Sequence, residues 1–231
     1  MNPIVVTITG PSTAGKTVLS HELAKNGFVS LVSTTTRRPR VGERDGVDYH
    51  FVTREAFLLL LHTGGLIENV EYNNHFYGVS AQEVMRAFDQ GKPAVLVAEP
   101  HGCEQIHDIC SQRGWTVLRV FVNNPIPVLM ERMLRRFYED VRQLDPATPE
   151  GAQALAEKID AHGGRIVKIV TDEQEQWVAP AYSGETHYDL IIDEFDQNQP
   201  EVVRRVQEMV ENLAPTAAPA SLPDPPRRPR P

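Results

Sequence analysis

Short apolar runs alternate along the chain with longer stretches in which apolar residues recur every three or four positions. Ile4 to Thr9 (IVVTIT) is β-branched throughout, the pattern of a strand buried on both faces. Thr17 to Lys25 places Val18, Leu19 and Leu23 at helical spacing, and Phe28 to Ser33 reads as a second strand. Thr34 to Asp48 is polar, rich in Arg and Gly, and carries Pro39, as expected of a surface loop. Tyr49 to Val52 reads as a short strand, Thr53 as the cap of a helix through Leu61, and Gly64-Gly65 as its end. Short strands are expected within Leu66–Tyr77, and Ser80 opens a helix carrying Val84, Met85 and Phe88. Ala94 to Ala98 is a buried strand, Gly102 to Gln112 a helix, Thr116 to Val122 a strand and Pro127 to Arg142 an amphipathic helix. Beyond a break at Asp145–Gly151, the pattern predicts helix over Leu155–Ile159 and a strand over Arg165–Val170 (RIVKIV). With QEQWVAPAY after it, this reads as a small β-like insert. Leu190 to Ile192 is the last core strand and Glu201 to Leu213 a closing helix. This order predicts an α/β fold in three layers, with a mostly parallel central sheet covered on both faces.

Composition changes the picture little. A chain of 231 residues with 41% hydrophobic and 23% charged residues fits one α/β domain with a modest appendage. The formal charge of −8 argues against a nucleic acid polymer as the main partner. No apolar run approaches the ~20 residues that span a bilayer, so no membrane partner is expected. With only Cys103 and Cys110, a disulfide scaffold is excluded and a reducing, cytoplasmic location is the expectation. Residues 214–231 hold seven prolines and end in RRPRP, which reads as a disordered tail and the one segment to consider for contact with a protein.

The first chemistry follows the first strand. Gly10-Pro11-Ser12-Thr13-Ala14-Gly15-Lys16-Thr17 matches GxxxxGK[ST] between a strand and a helix. Such a loop aims successive backbone N–H groups and a helix N-terminus at phosphate oxygens. Lys16 supplies a charge at the β- and γ-phosphates, and the Thr17 hydroxyl suits Mg²⁺. A second anion site is expected from Ser33-Thr34-Thr35-Thr36-Arg37-Arg38-Pro39-Arg40, since guanidinium groups bind phosphate through a planar fork.

STTTRRPRVGERDGVDYHFV (Ser33–Val52), LIE (Leu66–Glu68) and Tyr77-Gly78 resemble guanylate kinases. The resemblance is clear from the P-loop to about Gly102, looser over Pro125–Phe137, and faint from there to the final strand and helix. It implies a P-loop kinase fold over 1–213, with a small acceptor-binding lobe near 34–80 and a lid with a divergent insertion near 132–187. It further implies an enzyme that moves the γ-phosphoryl of ATP, with Mg²⁺, to GMP or dGMP. The acceptor phosphate would be held by Arg37, Arg40, Tyr49 and Tyr77, while Ser33 and Glu68 would read guanine. Arg38 falls at a variable position.

Several residues depart from the family pattern. Val79 stands where a Ser or Thr hydroxyl usually helps to hold the base, with Ser80 beside it. Val97 and Glu99 replace paired aspartates, Glu99 keeping a carboxylate near the acceptor or the metal's water shell. Thr13 replaces a glycine, which is tolerable where positive φ is not needed. Alternatives therefore stand beside the guanylate kinase reading: relaxed or altered base specificity, such as a modified purine deoxynucleotide, or a weakly catalytic binding module. On the helix near the lid, Arg132 and Arg136 are expected to face the phosphates, with surface pairing to Glu131 and Glu139 as the competing expectation. Lys158 and Arg165 are further cations; Trp177 and Tyr182 would stack on a base or a partner, or simply pack. His101, Cys103, His107 and Cys110 match no zinc spacing.

Overall fold

A computed structural model describes residues 3–40, 42–72, 74–193, 195 and 199–213. The proline-rich tail expected over 214–231 lies outside the described residues. In chain order the elements are β1 (Ile4–Thr9), α1 (Lys16–Lys25), β2 (Val29–Ser30), β3 (Thr34–Thr35), β4 (His50–Phe51), α2 (Arg54–His62), β5 (Leu66–Tyr72) and β6 (His75–Ser80). There follow α3 (Ala81–Asp89), β7 (Ala94–Val97), α4 (Pro100–Gln112), β8 (Thr116–Val122) and α5 (Ile126–Val141). The chain closes with α6 (Pro149–Val170), a π-helical turn (Gln174–Val178), α7 (Ala179–Ser183), β9 (Leu190–Ile192) and α8 (Gln199–Leu213).

The main sheet has the order β2-β7-β1-β8-β9 and every pairing in it is parallel. Because β1 is flanked by β7 on one side and β8 on the other, the chain leaves it at a switch point, where open α/β sheets gather ligands. Successive β1 residues face opposite layers. Val6 and Ile8 pack with Leu19, Leu23, Leu129, Ile169 and Val206, whereas Val5 packs with Val84, Leu96, Ile106 and Cys110. Each fully buried aliphatic side chain of this kind stabilises the fold by about 1.5–3 kcal/mol. A second sheet, β4-β3-β6-β5, lies within the stretch Thr34–Ser80.

Two sequence expectations are corrected. The strand expected over Phe28–Ser33 divides: Val29 and Ser30 pair with β7 of the main sheet, and the chain then crosses to the second sheet, where Thr34 and Thr35 pair with β4 and β6. The polar loop therefore begins in a strand. RIVKIV is helical, the end of the 22-residue α6, and no β-like insert forms. Its β-branched residues favour a strand locally. At helical spacing, however, His162, Ile166 and Ile169 share a face; His162 and Ile169 are buried, Ile166 packs against the main core, and Val167 and Val170 face solvent. The His162 Nε2 also pairs with the Asp140 carboxylate of α5, which accepts, at 3.0 Å. Tertiary packing outweighs the propensity.

Candidate active site

The loop from Gly10 to Thr17 folds back over the C-terminal end of β1. Gly10 has φ of 142°, and a Cβ there would lie 2.0 Å from the Val122 carbonyl oxygen, so no other residue lets the loop approach β8 this closely. The buried Asn124 amide donates to the Ala14 carbonyl at 2.8 Å and fixes the loop from the far side. Thr13 does adopt positive φ, 65°, contrary to the condition under which it looked tolerable. Its hydroxyl donates to the Leu129 carbonyl at 2.9 Å and lies 2.6 Å from that of Ser12, anchoring a backbone shape that a β-branched residue resists. Gly15 caps α1 with no side-chain acceptor, which leaves the helix N-terminus to other anions. The Lys16 ammonium donates to the Gly10 and Pro11 carbonyls, both at 2.8 Å. Burial lowers its pKa, opposed by the nearby Glu173 and Glu99 carboxylates.

The arginine loop faces this glycine turn. Arg37 is gripped by both Glu43 carboxylate oxygens at 2.9 Å and lies 5.3 Å from the Tyr49 ring centroid. Burial works to lower the Arg37 pKa, and the Glu43 carboxylate more than offsets it. Glu43 also accepts from the Arg40 backbone N–H at 2.7 Å, so one carboxylate shapes the whole turn. The Arg40 guanidinium itself has no hydrogen bond or ion pair among the described residues. Its pKa is lowered by burial and by Arg37, Arg136 and Arg165, which crowd positive charge around it. Such a cluster is repulsive until an anion enters. Tyr49 and Tyr77 meet edge to face at 6.0 Å on the same wall, and burial raises the Tyr49 pKa. Arg38 points to the exposed side.

Glu68 is 5% exposed, and its carboxylate lies against Gly102, where a Cβ would be 2.9 Å from Oε1. Burial lifts its pKa to about 7; the Val79 backbone N–H donates to it and works in the other direction. No cation pairs with it among the described residues. A buried carboxylate with one donor is short of hydrogen bonds and suits a ligand edge that presents two. Val79 is corrected here: its side chain is fully buried in the core with Ile67 and Val84 rather than lining the cavity, and only its N–H reaches the site. Ser80 cannot substitute, because its hydroxyl caps α3 by accepting from the Glu83 N–H. Ser33, Val97 and Glu99 do line the cavity. Glu99 is the N-cap of α4 yet makes no side-chain cap, which leaves its carboxylate facing Lys16; burial raises its pKa and Lys16 opposes the rise.

Two cavities result. One, of about 230 Å³, is lined by Ser33, Arg37, Arg40, Tyr49, Glu68 and Tyr77 among others. The other, of about 390 Å³, runs along Ser12 to Val18 and is closed by Arg132, Arg136 and Arg165. Ser12, Lys16, Arg40 and Glu99 belong to both. A wall shared in this way places two arginine-lined cavities end to end across Lys16 and Arg40.

The helix arginines separate cleanly. Arg135 pairs with Glu131 and Arg142 with Glu139, so the two carboxylates expected to compete for Arg132 and Arg136 are taken by other arginines. Arg132 donates to the Thr13 carbonyl at 2.7 Å. Of the further cations, Arg165 reaches the groove, while Lys158 lies 3.8 Å from Asp140. No group of three or more His, Cys, Asp or Glu side chains that could hold a metal is present among the described residues. The Thr17 hydroxyl is exposed and hydrogen-bonded to nothing described. That donor set fits a Mg²⁺ ion arriving with phosphates and mostly water-bound, rather than one resident on the protein. Cys103 and Cys110 are buried and free, their thiols pushed up to about 12 and 11 by burial, so they are inert. No described helix is long and apolar enough to cross a membrane.

Three contributors escaped the sequence reading. Glu43 was visible only as one charge in a charged loop. Glu173, 3% exposed, accepts from the Ser12 N–H and hydroxyl, both at 2.7 Å, 161 positions away. Gly102 was read only as the start of a helix.

The chain matches the family model described as guanylate kinase over residues 1–162. It is similar to a guanylate kinase of Synechococcus sp. (strain JA-3-3Ab), 33% identical over 174 residues, 74% of this chain and 77% of the relative. It is also similar to one of Synechocystis sp. (strain ATCC 27184 / PCC 6803 / Kazusa), 31% identical over 185 residues, 74% and 94%. The crystal structure of guanylate kinase from Anaplasma phagocytophilum is similar in fold, with a TM-score of 0.58 at 22% identity over 93% of this chain and 88% of that one.

Proposed function

The chain belongs to the guanylate kinase family, and from that premise we propose that it transfers the γ-phosphoryl group of ATP to GMP or dGMP. The observation that carries this reading is the common wall of the two cavities, Ser12, Lys16, Arg40 and Glu99. ATP occupies the groove along Ser12–Thr17 with its phosphates toward the loop amides and the α1 N-terminus. Arg37, Arg40, Tyr49 and Tyr77 hold the acceptor phosphate. Glu68, ionised, accepts from the guanine ring N–H and exocyclic amine, with Ser33 beside it.

Phosphoryl transfer relies on positioning and charge neutralisation rather than on a protein base. Lys16 swings from the Gly10 and Pro11 carbonyls to the β- and γ-phosphate oxygens, while Arg132, Arg136 and Arg40 surround the group in transit. The Thr17 hydroxyl would hold a Mg²⁺ ion arriving with the phosphates, with Glu99 facing its water shell, and the ion would supply positive charge to the phosphate oxygens. In this reading 1–213 acts as one catalytic unit, with an acceptor lobe at 34–80 and a lid with its insertion at 132–187.

Val79 and Val97 bring neither hydroxyl nor carboxylate, and they favour a second reading in which the base is discriminated less sharply and modified purine deoxynucleotides are accepted. Coupled ADP release measured across GMP, dGMP, AMP, dAMP, pyrimidine monophosphates and 2-aminoadenine deoxynucleotide separates these. GMP and dGMP far ahead of the rest supports the first reading, and comparable rates on several purines the second. Nucleotide binding without ADP release from any acceptor overturns both in favour of a binding module.

A further inference from the structure

The insertion contributes one residue to the cavity around Glu68, and that residue is Trp177. Its setting is unusual for a tryptophan. It directly follows the polar run Asp172-Glu173-Gln174-Glu175-Gln176, belongs to neither buried core cluster, and makes no ring-to-ring or cation–π contact among the described residues. Core packing therefore does not account for it. The other walls of the cavity divide by chemistry. The arginines and tyrosines form the anion end, and Glu68 with Ser33 faces an edge of polar donors and acceptors. Val70, Val97 and Ala98 offer small aliphatic contacts. A flat aromatic ligand presents faces as well as an edge; Tyr49 and Tyr77 are paired edge to face at the anion end, and the indole is the large planar group among the described lining residues that stands outside that end.

The indole is also held in place. Four residues earlier, on the same helical face, the buried Glu173 carboxylate takes both the N–H and the hydroxyl of Ser12. Glu173 caps the π-helical turn Gln174–Val178 that contains Trp177, a geometry that recurs at functional sites. At its start the Gln174 amide donates to the Ile169 carbonyl at 3.1 Å, covering the end of α6. Beyond it, Tyr182, once considered for stacking, is bonded instead to Asp193 and Asn123 at the edge of the main sheet. The turn that carries Trp177 is thus fixed at both ends, to the glycine loop and to the sheet.

We propose that Trp177 is a specificity-determining residue of the acceptor site, its indole stacking on the face of the purine, and that Glu173 is the positioning residue that holds it there by way of Ser12. This rests on the acceptor reading above. It gives the two requirements different owners: Glu68 selects guanine over adenine by its edge, and Trp177 selects purine over pyrimidine by the area of its face. The match to the family model ends at residue 162, before either Glu173 or Trp177.

The test uses the full chain in a Trp115→Phe background, because Trp115 lies at the other end of the molecule against Phe88. GMP is titrated while the remaining tryptophan emission is followed, and KM values for GMP and ATP are measured in parallel. The expected result is saturable quenching by GMP, weaker with CMP. Trp177→Ala raises the KM for GMP roughly tenfold, the scale of one stacked base, with the KM for ATP changed less than twofold; Trp177→Phe restores most of the affinity. Glu173→Gln weakens the quenching while Trp177 is still present, which a merely structural role for Trp177 would not produce. Trp177→Ala with an unchanged KM for GMP, or GMP saturation without a change in emission, overturns the proposal. Quenching without ADP release would instead defeat the kinase reading and leave the stacking standing; neither quenching nor turnover would defeat both.

Discussion

Replacing Glu68 with Gln exchanges the buried carboxylate for a neutral group of the same shape, and stability and activity should move in opposite directions. The wild-type carboxyl has its pKa lifted to about 7 by burial, against an ordinary value of 4.5. A gap of that size corresponds to about 3 kcal/mol between the two protonation states. Since the folded pKa is raised, the residue favours the fold fully below pH 4.5, and that contribution is lost as the pH climbs through 7. At pH 5 the wild type is protonated at Glu68 and resembles the variant. At pH 8 the wild type carries an unpaired buried charge and Gln does not. The amide keeps an acceptor for the Val79 N–H but adds a buried NH₂, whose missing partner costs about 1–3 kcal/mol at any pH. The quantity to read is therefore the change with pH: relative to wild type, Glu68→Gln should gain about 2–3 kcal/mol between pH 5 and pH 8 in urea unfolding of the ligand-free protein. In the same preparation the KM for GMP should rise at least ~100-fold, because an amide oxygen pairs with one guanine donor and its NH₂ opposes the other. A variant whose stability offset is the same at both pH values, or one that keeps the KM for GMP within threefold, would refute the reasoning.

Other expectations follow from individual contacts. Arg40→Ala should raise the KM for GMP by roughly 10- to 100-fold, the scale of a charge-assisted hydrogen bond; because Arg40 lines both cavities, ATP affinity, measured by calorimetry, should fall by about threefold or less. Equal loss for both nucleotides would contradict the division between the pockets. Thr13→Val and Thr13→Gly both remove the hydroxyl bond to Leu129, but only Val keeps the strain of positive φ. Chemical denaturation should therefore find the Gly variant more stable than the Val variant by about 1–2 kcal/mol, and equal stabilities would remove the strain from the account. Chelating Mg²⁺ should abolish ADP release, and Thr17→Ala should shift the Mg²⁺ requirement upward while leaving the unfolding midpoint unchanged. A variant with an unaltered Mg²⁺ titration would dissociate Thr17 from the metal.

Much of the fold was legible because the longer strands of the main sheet are short, largely apolar runs, and because Thr53 and Ser80 cap helices in the expected way. RIVKIV misled because six β-branched or charged residues carry no information about the α5 and core surface that awaits Ile166 and Ile169. The glycine loop and the arginine loop could be located from spacing alone, since each is contiguous in sequence. What could not be read was how side chains distant in sequence meet: Glu173 on Ser12, Glu68 against Gly102, and the inward turn of Val79. Val79 pairs with Glu68 and shares its face, but it sits deeper, in the core with Ile67 and Val84, and the register shifts at an irregularity between Leu66 and Glu68. An irregularity of this kind leaves no sequence signature in LIENVEY.

The most direct measurement joins the two ligands. A bisubstrate in which five phosphates connect adenosine to guanosine can fill both cavities at once only if they meet across Lys16 and Arg40. Competition calorimetry should show it displacing ATP and GMP alike, with an affinity well above that of either nucleotide alone, since the second contact becomes intramolecular. Displacement of only one nucleotide, or an affinity no better than that of ATP, would mean that the pockets do not face each other, contradicting the transfer of a phosphoryl group between them.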